Sequence, residues 1–181
     1  MQGNKPEIDV RQRDLRLAHH YSDIENWEGA YDLAYKWLKI DPNDAQALNI
    51  IAYIMLNTEK VAIAYPILKH LTTIEPEDPL AWLNMGMASN DLWRYQESLR
   101  AYKKGLACAT SDKDKSMLCV NIASLMVDHG KFREAAPYCR KAIALMPDTI
   151  KGKANLGFCQ LANKDWAEGW KNYRYCLGSE W

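Results

Sequence analysis

The sequence predicts an all-α chain of stacked helix pairs, and three observations carry that expectation. First, Ile40-Asp41-Pro42 returns as Ile74-Glu75-Pro76, a step of 34 residues, and Thr110 and Leu145-Met146-Pro147 close later units after steps of 34 and 37. Second, counting from Arg11, Ala45, Pro79, Ser116 and Ile150, the eighth place of every unit is small: Ala18, Ala52, Gly86, Ala123, Gly157. The twentieth is small too: Ala30, Ala64, Ser98, Ala135, Gly169. Third, the seventeenth place is apolar and mostly aromatic: Trp27, Val61, Tyr95, Phe132, Trp166. Small residues let two helices approach, and a large one wedges between units. A single pair cannot bury its apolar face, so pairs of this kind must stack.

The elements follow in order. Residues 1–10 lack periodicity and read as a loose lead-in. The units are 11–44, 45–78, 79–115, 116–149 and 150–181, each with helix A over places two to fourteen and helix B over places seventeen to thirty. In the third unit, Trp82, Met85, Leu99, Tyr102 and Leu106 recur at helical spacing around a turn at Asn90-Asp91-Leu92-Trp93. Asp44 and Asp78 are placed to cap the A helices that follow them. Pro66 and Pro137 fall near the first turn of their B helices, where a missing N–H costs little. The three extra residues of the third unit are accommodated in the polar stretch Ser111–Lys115.

Composition narrows the function classes. Lys plus Arg equals Asp plus Glu at 23 each among 181 residues, so no global field draws nucleic acid or an anionic membrane. No apolar run approaches the roughly 18 residues a membrane span requires. The N-terminal MQGNKPEIDV lacks the apolar core of a secretory signal, and a cytoplasmic location is the default expectation. The five cysteines (Cys108, Cys119, Cys139, Cys159, Cys176) form no CxxC pair and read as small buried hydrophobes in a reducing compartment. Of the four histidines only His19 and His20 are neighbours, and their side chains diverge on a helix. No phosphate loop, nucleophile elbow or paired carboxylate is assignable, so neither an enzyme nor a cofactor or metal is expected.

A period of 34 with this small–small–large arrangement in five copies resembles the tetratricopeptide repeat (TPR). That resemblance implies a right-handed superhelix with the A helices lining its concave side. Places two, five, six, nine and thirteen would then face the groove. The sixth places include Asn84, Asn121 and Asn155, and a carboxamide can pair with both the N–H and C=O of an extended peptide. This is similar to the asparagine ladder in the repeat domain of O-linked N-acetylglucosamine transferase. Asparagine here also serves to cap a neighbouring helix or bind water, and both readings stand at this point. Three net hydrogen bonds of about 0.5–1.5 kcal/mol each fall short of the roughly 8 kcal/mol of micromolar binding. Tyr53, Leu80, Leu83, Met87, Met117, Val120 and Phe158 are therefore expected to supply apolar contacts, unless they seal A–A contacts between units. Asp23, Asp91 and Asp128 recur at place thirteen as a mildly negative rim suited to a ligand with some lysine or arginine. The carboxylate clamp of chaperone-binding repeats is absent, since the fifth places hold no lysine.

The functional expectation is a non-catalytic scaffold binding a protein or peptide partner in its groove. A structural assembly component is one alternative. Asp165 to Tyr175 (DWAEGWKNYRY) resembles repeats that precede a glycosyltransferase domain in some bacterial and phage proteins, so a recognition arm of a larger transferase is another. In the last helix, Tyr175 and Trp181 are candidates for an exposed contact surface, open to a second copy, a partner or a further domain. The competing reading folds those aromatics back onto their own unit.

Overall fold

The computed structural model describes residues 5–177, with side chains from residue 10 onward. Among the described residues ten α-helices pair as A and B in five units: α1 (Lys5–Asp23) with α2 (Trp27–Leu38), α3 (Ala45–Asn57) with α4 (Val61–Ile74), and α5 (Pro79–Asp91) with α6 (Tyr95–Cys108). The last two pairs are α7 (Asp112–Asp128) with α8 (Phe132–Leu145), and α9 (Ile150–Ala162) with α10 (Trp166–Tyr173), which ends in a short 3₁₀ turn at Arg174–Cys176. No strand occurs among the described residues.

Each helix start has a local cause. The A helices from α3 onward carry side-chain caps: Asp44 accepts from the N–H of Ala47, Asp78 from Leu80 and Ala81, Ser111 from Asp114, and Thr149 from Gly152. Most B helices have no such cap. The turn before them serves instead. In all five units the residue at place fifteen is left-handed: Glu25, Glu59, Trp93, Gly130 and Lys164, with φ between 59° and 68°. The N–H at place sixteen then bonds back to the carbonyl at place eleven, as Arg94 does to Ser89 at 2.8 Å and Lys131 to Met126 at 2.8 Å. The N–H at place fifteen reaches place twelve, as Trp93 does to Asn90 at 2.8 Å. These two bonds are the Schellman arrangement, and they satisfy carbonyls at the end of every A helix.

Three expectations need correction. The lead-in is largely helical: α1 already begins at Lys5, since nothing between there and Arg11 breaks a helix and Pro6 is tolerated in a first turn. The fourth A helix begins at Asp112 and not at its second place, Met117, because Ser111 caps it and the polar stretch that takes up the extra residues forms its first turn. Pro66 and Pro137 sit at the sixth residue of α4 and α8, beyond the turn whose N–H groups are free. Each therefore removes one helical hydrogen bond. Both lie on the exposed side, where the carbonyl left over can meet water.

The small places do what their size allows. Ala18, Ala52 and Ala123 are fully buried, as are Ala30, Ala64, Ser98 and Ala135 across the pair. A Cβ on Gly157 would lie 2.5 Å from the backbone nitrogen of Tyr173, so α9 and α10 touch backbone to backbone there. Ser98 completes the contact in the third unit by donating its Oγ–H to the carbonyl of Gly86 at 2.8 Å. One core cluster runs through the first three units around Ile50, Leu68 and Leu71, and a second through the last three around Leu118, Ile122 and Leu125.

The A helices of adjacent units touch one another (α1 with α3, α3 with α5, α5 with α7, α7 with α9). Among the described residues no two B helices approach so closely, and α4 reaches α6 only through side chains, as where the Tyr65 hydroxyl donates to the Glu97 carboxylate at 2.6 Å. A stack whose members meet on one side and splay on the other must curve, with the meeting side concave. The A helices therefore line the concave face.

Candidate functional site

On α3, α5 and α9 the exposed apolar side chains of the concave face form a stripe, interrupted at α7, where Met117 and Ser124 are half-buried. Tyr53, Met87 and Phe158 occupy the ninth place of their units and are exposed, as is Leu80 at the second place of the third. Phe158 is braced from behind: its ring meets Tyr173 edge-on at 5.2 Å, and Tyr173 in turn meets Trp170 at 5.5 Å. Tyr53 lies 6.4 Å from the ring of Trp27 in the preceding unit. Tyr53 and Phe158 are thus backed by aromatic rings while remaining open to solvent.

Leu83 and Val120 do not belong to it. They are 6% and 7% exposed and pack within the core, so the expectation that they accept a partner's side chains is corrected. The reason is the fifth place itself, which points between adjacent A helices rather than into the groove.

The asparagines are tied to their neighbours. Asn84 donates through Nδ2 to Oδ1 of Asn49 at 2.9 Å, and Asn155 through Nδ2 to Oγ of Ser124 at 2.8 Å, each bridging two successive units. Asn121 instead donates to the carbonyl of Met117, one turn back on its own helix, at 2.9 Å. Asn84 and Asn155 are buried, while Asn121 is half-buried. Each carboxamide spends a donor on the solenoid, and two of the three set the register between units.

At place thirteen Asp91 and Asp128 stand exposed on the rim where the A–B turns emerge. Burial of part of its surface pushes the Asp91 carboxyl above the usual carboxylate range. At the opposite end of the stack, two carboxyls are drawn the other way. The Lys36 ammonium, 2.7 Å from Asp14, holds that carboxyl low. Burial pushes Asp44 up, but the Arg11 guanidinium, bound in a fork at 2.7 and 2.8 Å, outweighs it together with the N–H of Ala47.

The last unit differs from the sequence expectation. Tyr175 is half-buried, with the Lys153 ammonium 4.8 Å and the Arg174 guanidinium 5.3 Å from its ring, so cations cover it. Trp181 lies outside the described residues. Among the described residues of its second helix, Trp166 and Trp170 are both 57% exposed, although the seventeenth place, Trp166, was expected to wedge between units. Cys119, Cys139 and Cys159 are buried as anticipated, but Cys108 is half-buried and Cys176 exposed. No helix among the described residues is long and apolar enough to cross a membrane.

Comparison with known proteins agrees with this architecture. No protein-family model matches the chain. The human protein O-mannosyl-transferase TMTC3 is 24% identical over 151 residues, covering 77% of this chain but only 16% of TMTC3. Among solved structures, Pseudomonas aeruginosa PilF superposes with a TM-score of 0.87 at 17% identity, covering 98% of this chain and 80% of PilF. TTC0263 of Thermus thermophilus, a thermophilic TPR protein, gives 0.76 at 21% identity over 92% of this chain and 90% of its own. YrrB, described as a TPR protein with an unusual peptide-binding site, gives 0.67 at 13% identity over 91% and 83%. With a 34-residue period, paired helices and these superpositions in hand, the chain is by fold a tetratricopeptide-repeat solenoid.

Proposed function

We propose that this chain is a non-catalytic scaffold that holds an extended segment of a partner protein along its concave face. The observation that carries the reading is the stripe of Tyr53, Leu80, Met87 and Phe158, apolar and exposed where the A helices meet. Apolar side chains on one face of the second, third and fifth units, and rimmed by Asp91 and Asp128, suit a chain with apolar anchors and basic residues. In this reading Asn84 and Asn155 hold the spacing of the anchors, and the Oδ1 atoms of the three asparagines remain to accept peptide N–H groups. Support also comes from YrrB, whose description includes a peptide-binding site on a similar fold.

The test is affinity capture from native extract with the wild-type chain and with Met87→Glu plus Phe158→Glu. Both positions are exposed, so the variant is expected to keep its fold and lose the captured partner. Equal recovery by both proteins would remove the groove from the account.

A second reading, the recognition arm of a larger glycosyl-transferring protein, is favoured by the similarity to a stretch of TMTC3 and by the tryptophan-rich last unit. It is compatible with the first, because such an arm would also act by holding a protein segment. An antibody to this chain should then detect a much larger polypeptide in the source cells. A product of only 20.8 kDa would exclude it.

A further inference from the structure

The five A–B turns share one backbone, so they form an internal series in which only the side chains differ. Place fifteen of the third turn is Trp93, which is 92% exposed and sits in left-handed backbone at φ 60°. The fourth unit puts glycine there. A large apolar side chain in this position gains nothing from burial and opposes the backbone preference.

Beside Trp93 a cleft of about 580 Å³ opens between the third and fourth turns, lined by Asn90, Asp91, Trp93, Tyr95, Asp128 and His129. The rings of Tyr95 and His129 stand 4.2 Å apart, and His129 is fixed by a 2.9 Å hydrogen bond from its Nδ1 to the carbonyl of Leu125. The hydroxyl of Tyr95 is buried with no hydrogen-bond partner among the described residues. Neither Asp91 nor Asp128 forms an ion pair among them. The Arg94 guanidinium is turned away over the ring of Tyr65 at 4.5 Å, whereas the Lys131 ammonium lies over Tyr95 of the cleft itself at 4.6 Å without pairing with either aspartate. The neighbouring cleft between the fourth and fifth turns, lined by Gly130, Lys131, Phe132, Arg133, Glu134, Ala162 and Asn163, has neither an aspartate pair nor an exposed indole.

We propose that the cleft between the third and fourth A–B turns receives an arginine side chain of the bound partner. A guanidinium is flat enough to stack on the Trp93 indole and carries N–H groups for both carboxylates. An ammonium satisfies fewer of these at once, and an apolar side chain leaves the aspartates without a counter-charge. The elevated carboxyl of Asp91 agrees with a partly desolvated anion lacking a cation. This inference rests on the scaffold reading but places a specific contact at the solenoid's edge, outside the apolar stripe.

The probe is the blocked tripeptide acetyl-Gly-Arg-Gly-amide, followed through the indole N–H resonance of Trp93, which Trp93→Gly assigns. The comparison peptide carries citrulline, the neutral isostere of arginine. The protein variant is Asp91→Asn plus Asp128→Asn, a change with a built-in precedent because Asn57 fills the same place in the second unit. The arginine peptide is expected to shift the Trp93 resonance saturably at millimolar concentration, with the citrulline peptide silent. The double variant, folded as judged by an unchanged spectrum elsewhere, is expected to bind at least about tenfold more weakly. A silent Trp93, an equal response to citrulline, or unchanged affinity in the variant overturns the proposal. Any of these leaves the groove reading to its own test, since Met87→Glu plus Phe158→Glu alters no residue of the cleft.

Discussion

Glu25, Glu59, Trp93, Gly130 and Lys164 occupy one place of the repeat and share one unusual backbone conformation, yet only one of them is glycine. For a residue with a Cβ, left-handed backbone costs about 1–2 kcal/mol, and glycine gives back part of that in unfolded-chain entropy. Replacing Glu59 with glycine is therefore expected to stabilise the protein by about 0.5–1 kcal/mol, and Gly130→Ala to destabilise it by a similar amount. Urea unfolding of the two variants beside wild type reads both signs. A stabilised Gly130→Ala protein would contradict the account of the turns. This conformation was hidden from the sequence because the usual marker, a glycine after each A helix, is missing in four units. The packing places were more legible: Ala18, Ala52 and Ala123 announce a close approach simply by being small at the same step. Leu83 and Val120 misled for a related reason. A hydrophobic residue at a groove-side place looks the same in sequence whether it faces solvent or the next A helix.

At the scale of the element, helix bounds were readable because caps and proline stops bracket them, as at Asp44 and Asp78. The first unit is held by a different device. Asp14 and Asp44 are both low because Lys36 and Arg11 grip their charged forms in the folded protein. A carboxyl that binds its proton less tightly when folded contributes stability above its ordinary value of 3.8, and that contribution is lost as pH falls through the lowered folded value. Acid is thus expected to loosen the first unit before the middle of the stack. The check is hydrogen exchange at descending pH, with early loss of protection in α1 to α3. Asp14→Asn, which lacks the charge, should flatten the acid dependence of α1 and α2. Sequence separation explains why these pairs were not anticipated: Asp14 and Lys36 are 22 residues apart, and Arg11 and Asp44 are 33 apart. Only the closed helix pair and the stacking of the next unit bring them together.

Over the whole molecule, curvature follows from which helices meet. Successive A helices approach one another more closely than successive B helices do, so the exposed stripe of Tyr53, Met87 and Phe158 lies on the inner side of the stack. The period of 34 was sufficient to foresee stacking. It could not distinguish an asparagine that waits for a ligand from one that fastens two units, because that depends on Asn49 and Ser124 lying within hydrogen-bond reach in the neighbouring unit. The central claim, that a partner segment runs along the concave face, is tested most directly by site-specific photo-cross-linking. A photoreactive side chain is placed at Met87, at Phe158, or at Lys103, an exposed position on α6. The account predicts partner adducts from Met87 and Phe158 and none above background from Lys103. Adducts from Lys103 alone, or equally from all three positions, would contradict it.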